Sequence, residues 1–425
     1  MDTTLATCRQ LSRDYLISYF QGNTNYGFQR YYLERNLLTE ERFSILLGSR
    51  GIGKTVSLLQ LILAKLEQNI EGTTALYVPI DHVKLKGLSL YEIGTSFAEY
   101  GGTLLCIDEI HKYEHWAQDL KSIVELFKDL TIIVSGSSIL EIQKESHDLS
   151  RRAVVLSAFG MSFREYLSLK YFDLITPVLT PYLIETILEN HTLLAQKVVR
   201  YFDSKNINIL EEFSLYLQEG YYPYFNEMKK KENYWQTLEQ QIHAIVEQDI
   251  PHVYSSFTGA TSKKIIKLLH IISESVPYIP NYKRLKEALG VADERTLKQY
   301  LKILEDALLI QTVNKHNQGL KQIEEIGKFY LQNPNLQWAL SNNPNIGTLR
   351  ETFLLSMLKA QNYPVRIPEK GDFEVQIGKE KVVLEVGGKG KNRSQIFERK
   401  GVIVSDGLKV GFDKKIPLWL FGFLY

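Results

Sequence analysis

Residues 48–55 read Gly-Ser-Arg-Gly-Ile-Gly-Lys-Thr and match the pattern G-x-x-x-x-G-K-S/T at every fixed position. An apolar run at 43–47 precedes this segment, and a helical pattern at 56–66 follows it. The glycines let the backbone curl so that successive N–H groups face a polyphosphate, and the following helix directs its positive end at the same charge. The segment therefore predicts a phosphate-binding loop rather than a chance glycine-rich turn.

A pair of carboxylates follows at residues 104–109, where an apolar strand ends in Asp108 and Glu109. We expect Lys54 to contact the β- and γ-phosphates and Thr55 to hold Mg²⁺. Asp108 would share the Mg²⁺, and Glu109 would polarise the attacking water. The alternative is that both carboxylates cap the next helix.

Two features favour ATP over GTP as the nucleotide. An additional strand at 75–80 lies between the two motifs, and an acidic residue directly follows the metal-binding Asp, which is more typical of ATPases than of small GTPases. A fourth strand ends in hydroxyls, of which Ser135 or Ser137 would sense the γ-phosphate unless they form only a turn. We predict ATP and Mg²⁺ as cofactors. The predicted nucleotide-binding residues are Gly48, Ser49, Arg50, Gly51, Ile52, Gly53, Lys54, Thr55, Val56, Asp108 and Ser135.

Two arginines, Arg151 and Arg152, open the next strand. Arg152 would complete either the site of a neighbouring subunit, as an arginine finger, or the site of its own chain. A pair of surface arginines is the alternative. With Lys54 and Glu109, Arg152 completes the predicted catalytic residues, and a finger acting in trans predicts a homo-oligomer.

The elements that must position these residues alternate between short apolar runs and amphipathic segments, which predicts an α/β layer with a mostly parallel sheet. Long helical patterns follow, and the last residues return to strands, including one over 416–425. We predict five segments: an N-terminal helical segment at 1–40, a P-loop ATPase domain at 41–170, a helical linker or lid at 171–262, a winged helix at 263–325 and a small nuclease-like α/β domain at 326–425.

Four segments together resemble a large prokaryotic group of AAA-type ATPases with an uncharacterised C-terminal region, namely residues 48–55, 104–109, 135–138 and 149–166. The resemblance covers most of the chain. It implies an ATPase core, a helical section with a Gly-aromatic-Pro turn, here at 220–223, a winged helix and a restriction-endonuclease-like end. Two positions depart from the group: Arg151 replaces a Gly, and Ser135 replaces the usual sensor Asn.

Residues 282–305 read as helix, Gly turn and helix, which is helix-turn-helix spacing. The outer face of the second helix would carry side chains able to meet DNA bases or phosphates, namely Arg295, Lys298, Gln299 and Lys302. Winged helices in ATPases of this kind also contact proteins. Both DNA and protein partners therefore stay open.

Near the C-terminus, Asp372 precedes a strand and Glu385 lies on the next one. This spacing is similar to the D…(D/E)-x-K arrangement of restriction-endonuclease-like folds, in which two carboxylates hold Mg²⁺ and a lysine activates water. Glu351 would add a third carboxylate. Gly387 stands where that lysine belongs, so either Lys389 reaches in from a loop or the fold is retained without nuclease activity. We expect the inactive alternative.

Residues 111–115 read His-Lys-Tyr-Glu-His, a pattern that supplies two zinc ligands in some metalloproteases. The segment begins two residues after Glu109, so a helix that follows the acidic motif explains it without zinc. We interpret His111 and His115 as ordinary helix residues or as polar residues near the nucleotide.

Composition sets the remaining limits. Lys and Arg number 50 and Asp and Glu 49, so the net charge of +1 excludes an overall polyelectrolyte. Two cysteines and the lack of a long apolar run indicate a cytoplasmic protein without a membrane span. We expect an Mg²⁺-dependent ATPase whose cycle moves DNA-contacting or protein-contacting C-terminal modules. An ATP-gated protein-interaction switch and an ATP-regulated nuclease are the alternatives.

Overall fold

The computed structural model describes residues 3–22, 27–68, 74–136, 152–172, 178–254, 257–275, 277–279, 281–315, 326–341, 343–391 and 401–425. The chain divides into two compact units, Met1–Phe159 and Gly160–Tyr425. In the described ranges, no helix combines the length and the apolar character needed to cross a bilayer.

The first unit alternates strands and helices from residue 43 onward. Its helices are α1 (Thr3–Gly22), α2 (Tyr31–Glu34), α3 (Lys54–Glu67), α4 (Leu90–Glu99) and α5 (Trp116–Leu126), with 3₁₀ turns at Val83–Leu85 and Ile110–Lys112. Its strands are β1 (Phe43–Leu47), β2 (Ala75–Pro79), β3 (Leu104–Asp108), β4 (Thr131–Gly136) and β5 (Val154–Ser157).

These strands form a parallel sheet in the order β2-β3-β4-β1-β5, which confirms the predicted parallel α/β core. Strands β1 to β4 are buried on both faces, as parallel strands covered by helices are. Because β4 lies between β1 and β3, the segments that follow β1 and β3 meet at one edge of the sheet. The edge strand β5 is less buried, and its Val154 and Val155 are exposed.

The second unit begins with helices. They are α6 (Phe163–Lys170), α7 (Ile184–Ser204), α8 (Ile209–Glu219), α9 (Lys231–Ala244), α10 (Ile250–Val253), α11 (Gly259–Ser275), α12 (Tyr282–Leu289), α13 (Glu294–Asp306), α14 (Pro334–Leu340) and α15 (Ile346–Ala360), with a 3₁₀ turn at Pro223–Glu227 and a π-helical turn at Ile245–Asp249. Gly290 ends α12 with a left-handed φ of 58°, so the predicted glycine turn before α13 is present.

The strands of the second unit join in one mixed sheet, in the order β12-β11-β10-β9-β8-β6-β7. They are β6 (Ile310–Lys315), β7 (Ile326–Leu331), β8 (Val365–Ile367), β9 (Phe373–Ile377), β10 (Glu380–Gly387), β11 (Gly401–Ser405) and β12 (Lys415–Pro417). The antiparallel pair β6–β7 follows α11, α12 and α13 in the chain. Because β6 also pairs with β8, this hairpin continues the sheet that carries the C-terminal carboxylates.

The predicted strand over 416–425 is wrong for most of its length. Strand β12 ends at Pro417, and Leu418–Phe423 form a 3₁₀ helix. The whole run is buried, and an uninterrupted apolar run does not distinguish a buried strand from a buried helical turn. Pro417 also lacks the N–H that a continuing ladder would need.

Candidate functional site

The phosphate loop connects β1 to α3 through a backbone that requires glycine. Gly51 and Gly53 have φ values of 78° and 95°, in the left-handed region, and Gly53 is the residue before the first turn of α3. A Cβ atom at Gly48 would collide with the carbonyl oxygen of Ala158. The fold therefore requires glycine at these positions of the motif. The N–H groups of the first turn of α3, which have no partner within the helix, face the loop.

Lys54 folds back over the loop that precedes it. Its Nζ donates to the carbonyl oxygens of Gly48 (2.8 Å) and Ser49 (3.0 Å), and the residue is only 5% exposed. The ammonium group is thus held at the mouth of the loop, where a phosphate oxygen would meet it.

A buried arginine that the sequence analysis missed supports the same loop. Arg30 donates to the carbonyl oxygen of Ile52 and, over 2.7 Å, to that of Phe159. Its guanidinium lies beside the rings of Tyr31 and Tyr32, and the Tyr32 hydroxyl is 2.9 Å from Ser57 Oγ on α3. No motif marks Arg30, because it lies upstream of the pattern and its hydrogen bonds to the loop go to backbone carbonyl oxygens.

Asp108 ends β3 with both carboxylate oxygens hydrogen-bonded. Oδ2 accepts from Thr55 Oγ1 (2.6 Å) and from the Tyr77 hydroxyl (2.8 Å), while Oδ1 accepts from Ser135 Oγ and from the Glu109 N–H (3.1 Å). Asp108 is buried, so this network fixes its orientation. The structure brings together Thr55, Asp108 and Ser135 as the sequence predicted, and adds Tyr77.

Glu109 follows in a left-handed conformation, with φ of 55°, which is unusual for a residue with a side chain. Burial raises the pKa of its carboxyl above the ordinary value of 4.5, nearby Asp108 raises it further, and Lys54 opposes both. His111 Nε2 lies 3.3 Å from Glu109 Oε2, so the buried histidine contacts this carboxylate. A carboxylate with a raised pKa beside the phosphate loop suits a general base.

Ser135 lies on β4 directly between the two motif strands. It is the register partner of Leu46 in β1, and its hydroxyl accepts from the Glu109 N–H over 3.3 Å. Ser135 is fully buried, and its hydroxyl also donates to the Asp108 carboxylate. Ser137 lies outside the described residues.

Arg152 is not brought to the phosphate loop of its own chain. β5 runs parallel to β1, with Ser44 opposite Val154 and Leu47 opposite Ser157. Arg152 precedes these pairs and the loop follows them, so at about 3.3 Å per residue they lie roughly 20 Å apart along the strands. Its guanidinium instead lies 2.6 Å from Glu125 Oε1. Arg151 lies outside the described residues.

The four side chains predicted on the outer face of α13 are all exposed, namely Arg295, Lys298, Gln299 and Lys302. Two of them form ion pairs within the helix: Lys298 Nζ is 2.7 Å from Glu294 Oε1, and Lys302 Nζ is 2.8 Å from Asp306 Oδ1. These pairs offset part of the positive charge that the sequence predicts for this face.

The C-terminal carboxylates come together around β10. Glu385 is fully buried, and Lys391 Nζ lies 2.6 Å from its Oε1, whereas Oε2 has no hydrogen-bond partner in the described part of the chain. Asp372 Oδ2 accepts from the Val386 N–H over 2.8 Å. Lys391, rather than the predicted Lys389, is the lysine that contacts Glu385.

Glu351 joins this cluster from α15. The Tyr330 hydroxyl on β7 donates to its Oε2 over 2.8 Å. Burial raises the pKa values of Glu351 and Glu385, and Asp372 raises both further. Lys391 opposes the increase at Glu385, both by its hydrogen bond and by its charge. The lysine and the tyrosine were missed because they come from a loop and from a distant strand.

In the described ranges, no three His, Cys, Asp or Glu side chains are grouped so that they could hold a metal ion between them. This finding fits the phosphate-loop site, since Mg²⁺ in such sites takes one or two protein groups and fills its other positions with phosphate oxygens and water. It also means that the C-terminal carboxylates do not form a ready three-carboxylate cage.

A comparison with known protein families finds a match for the segment that contains the phosphate loop. Residues 40–167 match the family model described as an AAA domain. That segment contains the phosphate loop, Asp108, Glu109, Ser135 and Arg152. The match supports an AAA-type P-loop nucleotide-binding core. Residues 210–346 match a family model described only as a domain of unknown function, DUF8612.

One relative spans most of the chain. The uncharacterised protein MJ1637 of Methanocaldococcus jannaschii is 28% identical over an alignment of 397 residues that covers 86% of this chain and 81% of that protein. AMPPCP-bound DnaA from Aquifex aeolicus is 15% identical and covers 65% of this chain and 86% of its own, with a TM-score of 0.25. The Hsp104–ADP complex of S. cerevisiae is 17% identical and covers 64% and 38%, with a TM-score of 0.26.

Proposed function

We propose that this chain binds MgATP at residues 48–55 and hydrolyses it. The observation that carries the proposal is the 2.6 Å hydrogen bond from Thr55 Oγ1 to Asp108 Oδ2. A threonine that donates its proton to a carboxylate keeps its oxygen lone pairs for a cation. The threonine oxygen could therefore hold Mg²⁺ while Asp108 supplies the negative charge beside it, and the AAA-domain match over residues 40–167 supports the same function.

The remaining residues have distinct roles in this reaction. Lys54, held over the loop, would bind the β- and γ-phosphate oxygens. Glu109 would accept the proton of the water whose oxygen attacks the γ-phosphorus, while the bond from that phosphorus to the β–γ bridging oxygen breaks. Mg²⁺, when bound, neutralises charge on the phosphate oxygens. Ser135 would hold the Asp108 carboxylate and the Glu109 backbone in position through its two hydrogen bonds.

The test is phosphate release from ATP with and without Mg²⁺. Lys54→Ala should lose nucleotide binding and turnover together, whereas Glu109→Gln should keep binding and lose turnover. A wild-type chain that binds MgATP but shows no turnover above Glu109→Gln would refute hydrolysis. Failure to bind any nucleotide would refute the whole proposal.

The partner that ATP turnover acts on is proposed from the face of α13. The ion pairs of Lys298 and Lys302 reduce the charge available to phosphates, which favours a protein contact over DNA. We propose that the helices α11 to α13 form a winged helix that contacts a protein. Turnover measured with duplex and single-stranded DNA at low salt tests this choice, because clear stimulation by DNA would reverse it.

We propose a homo-oligomer on the basis of the position of Arg152. Since it lies away from its own phosphate loop, an arginine finger at this position would serve a neighbouring copy. Arg152→Ala should then lose turnover, and mixing it with Lys54→Ala, which keeps its arginine, should restore part of it. Equal loss in the mixture and in the single variant would exclude trans action.

Metal-dependent phosphodiester hydrolysis is a second candidate function, and the contact of Lys391 with Glu385 favours it. This lysine supplies the cation that the spacing after Glu385 lacks. Water would attack the phosphorus, the ester bond to one sugar oxygen would break, and that oxygen would take up a proton. The proposal ranks second because Gly387 stands where the lysine of that arrangement belongs, so Lys391 must reach Glu385 from the loop after β10.

Cleavage of duplex and single-stranded DNA and RNA with Mg²⁺ or Mn²⁺ tests the second function. Activity should disappear in Glu385→Gln and in Lys391→Met and persist in Lys389→Met. Cleavage that all three variants retain would belong to a contaminant. Absence of cleavage by the wild-type chain would support the inactive alternative.

A further inference from the structure

Tyr77 is a buried phenol that points at the predicted metal-binding carboxylate from a neighbouring strand. It lies on β2, where the register places Pro79 opposite Asp108 and Tyr77 two residues earlier on the same face. The long side chain spans this offset, and its hydroxyl reaches Asp108 Oδ2 at 2.8 Å. A phenol in an otherwise apolar strand needs a hydrogen-bond partner, and here that partner is the carboxylate.

The helix α1 holds Tyr77 in this position. The Tyr77 N–H donates to Ser12 Oγ over 3.2 Å, and the ring of Tyr15 lies 5.3 Å from the ring of Tyr77. Tyr77 is 1% exposed, so its hydroxyl has little freedom to turn away. The donor is therefore fixed before any cation arrives.

We propose that Tyr77 is a positioning residue that orients Asp108 for Mg²⁺, so that it sets the Mg²⁺ affinity of the nucleotide site. The inference rests on the proposed MgATP function. Oδ2 accepts from both Thr55 and Tyr77, and these two donors fix the plane of the carboxylate. Without the phenol, Asp108 rotates more freely. Fixing its orientation toward the cation then costs free energy on binding.

The experiment compares Tyr77→Phe with Tyr113→Phe. Tyr113 also donates from a phenol to an aspartate, Asp119 Oδ2 at 2.8 Å, but lies outside the nucleotide site. Nucleotide binding is titrated with Mg²⁺ in the Glu109→Gln background, which reports binding without turnover. Tyr77→Phe should raise the half-saturating Mg²⁺ concentration roughly tenfold, the usual cost of losing a group that orients a metal ligand. Binding of ATP without Mg²⁺ should stay unchanged.

Each outcome of the Mg²⁺ titration either supports or overturns the proposed role of Tyr77. An unchanged Mg²⁺ requirement in Tyr77→Phe overturns the proposal, as does an equal rise in Tyr113→Phe. A thermal melt showing that the Tyr77→Phe chain is not folded would mean that the phenol serves stability. This result would also overturn the proposal. If the Glu109→Gln chain with Tyr77 intact binds ATP with no dependence on Mg²⁺, the proposed MgATP function fails, and with it the basis for this role.

Discussion

Asp108 in the first unit and Glu385 in the second are both buried carboxylates on strands of a sheet, yet the chain surrounds them in opposite ways. Asp108 receives four hydrogen-bond donors, and every one of them is neutral. Glu385 contacts a cation of the chain itself, Lys391, and one of its oxygens has no partner in the described residues.

The difference concerns where the compensating positive charge comes from. Neutral donors orient a carboxylate without cancelling its charge, and this is the arrangement around Asp108. At Glu385 the charge is met internally by Lys391 at Oε1, while Oε2 has no hydrogen-bond partner in the described residues. The first carboxylate is therefore oriented by neutral donors, which suits the proposed binding of Mg²⁺, whereas the second is held by an ion pair.

The largest expected effect separates the two sites by function. Glu109→Gln should lower ATP turnover by about 100-fold or more, because it removes the proposed base while the phosphate loop and Asp108 stay in place. Glu385→Gln, an equally small change in the other carboxylate cluster, should leave ATP turnover unchanged. Phosphate release and MgATP binding are measured for both variants. A comparable loss in Glu385→Gln would show that the two clusters act as one, and the contrast drawn here would fail.

The neutral donors of Asp108 provide the next test. Ser135→Ala should lower turnover roughly tenfold, since it removes a hydrogen bond to Asp108 and one from the Glu109 N–H. The matched control is Ser44→Ala on the adjacent β1, where the buried hydroxyl has no hydrogen-bond partner in the described residues. Equal turnover in Ser135→Ala and Ser44→Ala would mean that the donors around Asp108 have no catalytic value.

The local geometry around the phosphate loop could be predicted from the sequence because its requirements are local. The glycines of the phosphate loop and the pair Asp108–Glu109 are encoded in two short stretches, and the strand order places their ends together. The geometry at these positions matches that prediction, including left-handed backbone at Gly51 and Gly53. Tyr77 was not found, because the reach of its hydroxyl to Asp108 depends on the register between β2 and β3.

The second site was predicted only in part because it draws on distant segments. Asp372 and Glu385 followed from spacing on a hairpin, but Tyr330 comes from β7 and Lys391 from the loop after β10. Which of two nearby lysines turns inward depends on the path of that loop. The same limit applies to residues 418–423, where burial was predictable and the helical turn was not.

The ion pair at Glu385 gives a smaller effect, on stability. Lys391→Met keeps the aliphatic stem and removes the charge, which leaves a buried carboxylate without its cation. We expect the second unit to lose about 1 to 2 kcal/mol, less than for a fully buried pair because the lysine side chain is 34% exposed. Adding Glu385→Gln should recover most of the loss in denaturant unfolding. If the double variant is no more stable than Lys391→Met, the pair makes no net contribution.

The smallest expected effect is a pH dependence at Glu351. Burial raises the pKa of this carboxyl above the ordinary value of 4.5 that it regains on unfolding, so the folded unit binds the proton more tightly than the unfolded chain does. Stability from this group is therefore complete below about pH 4.5 and is lost as the pH rises through the folded-state pKa. Glu351→Gln keeps an acceptor for the Tyr330 hydroxyl and removes the charge.

Thermal melts of Glu351→Gln should show a midpoint about 2 to 4 °C above wild type at neutral pH, and this gain should vanish toward pH 4. The control Glu189→Gln changes an exposed glutamate in the same unit and should show no such trend. A gain that persists at low pH would arise from shape rather than charge. A lower stability of Glu351→Gln than of wild type at neutral pH would mean that the fold favours the ionised carboxylate. The surroundings of Glu351 would then resemble those of Asp108 more than those of Glu385.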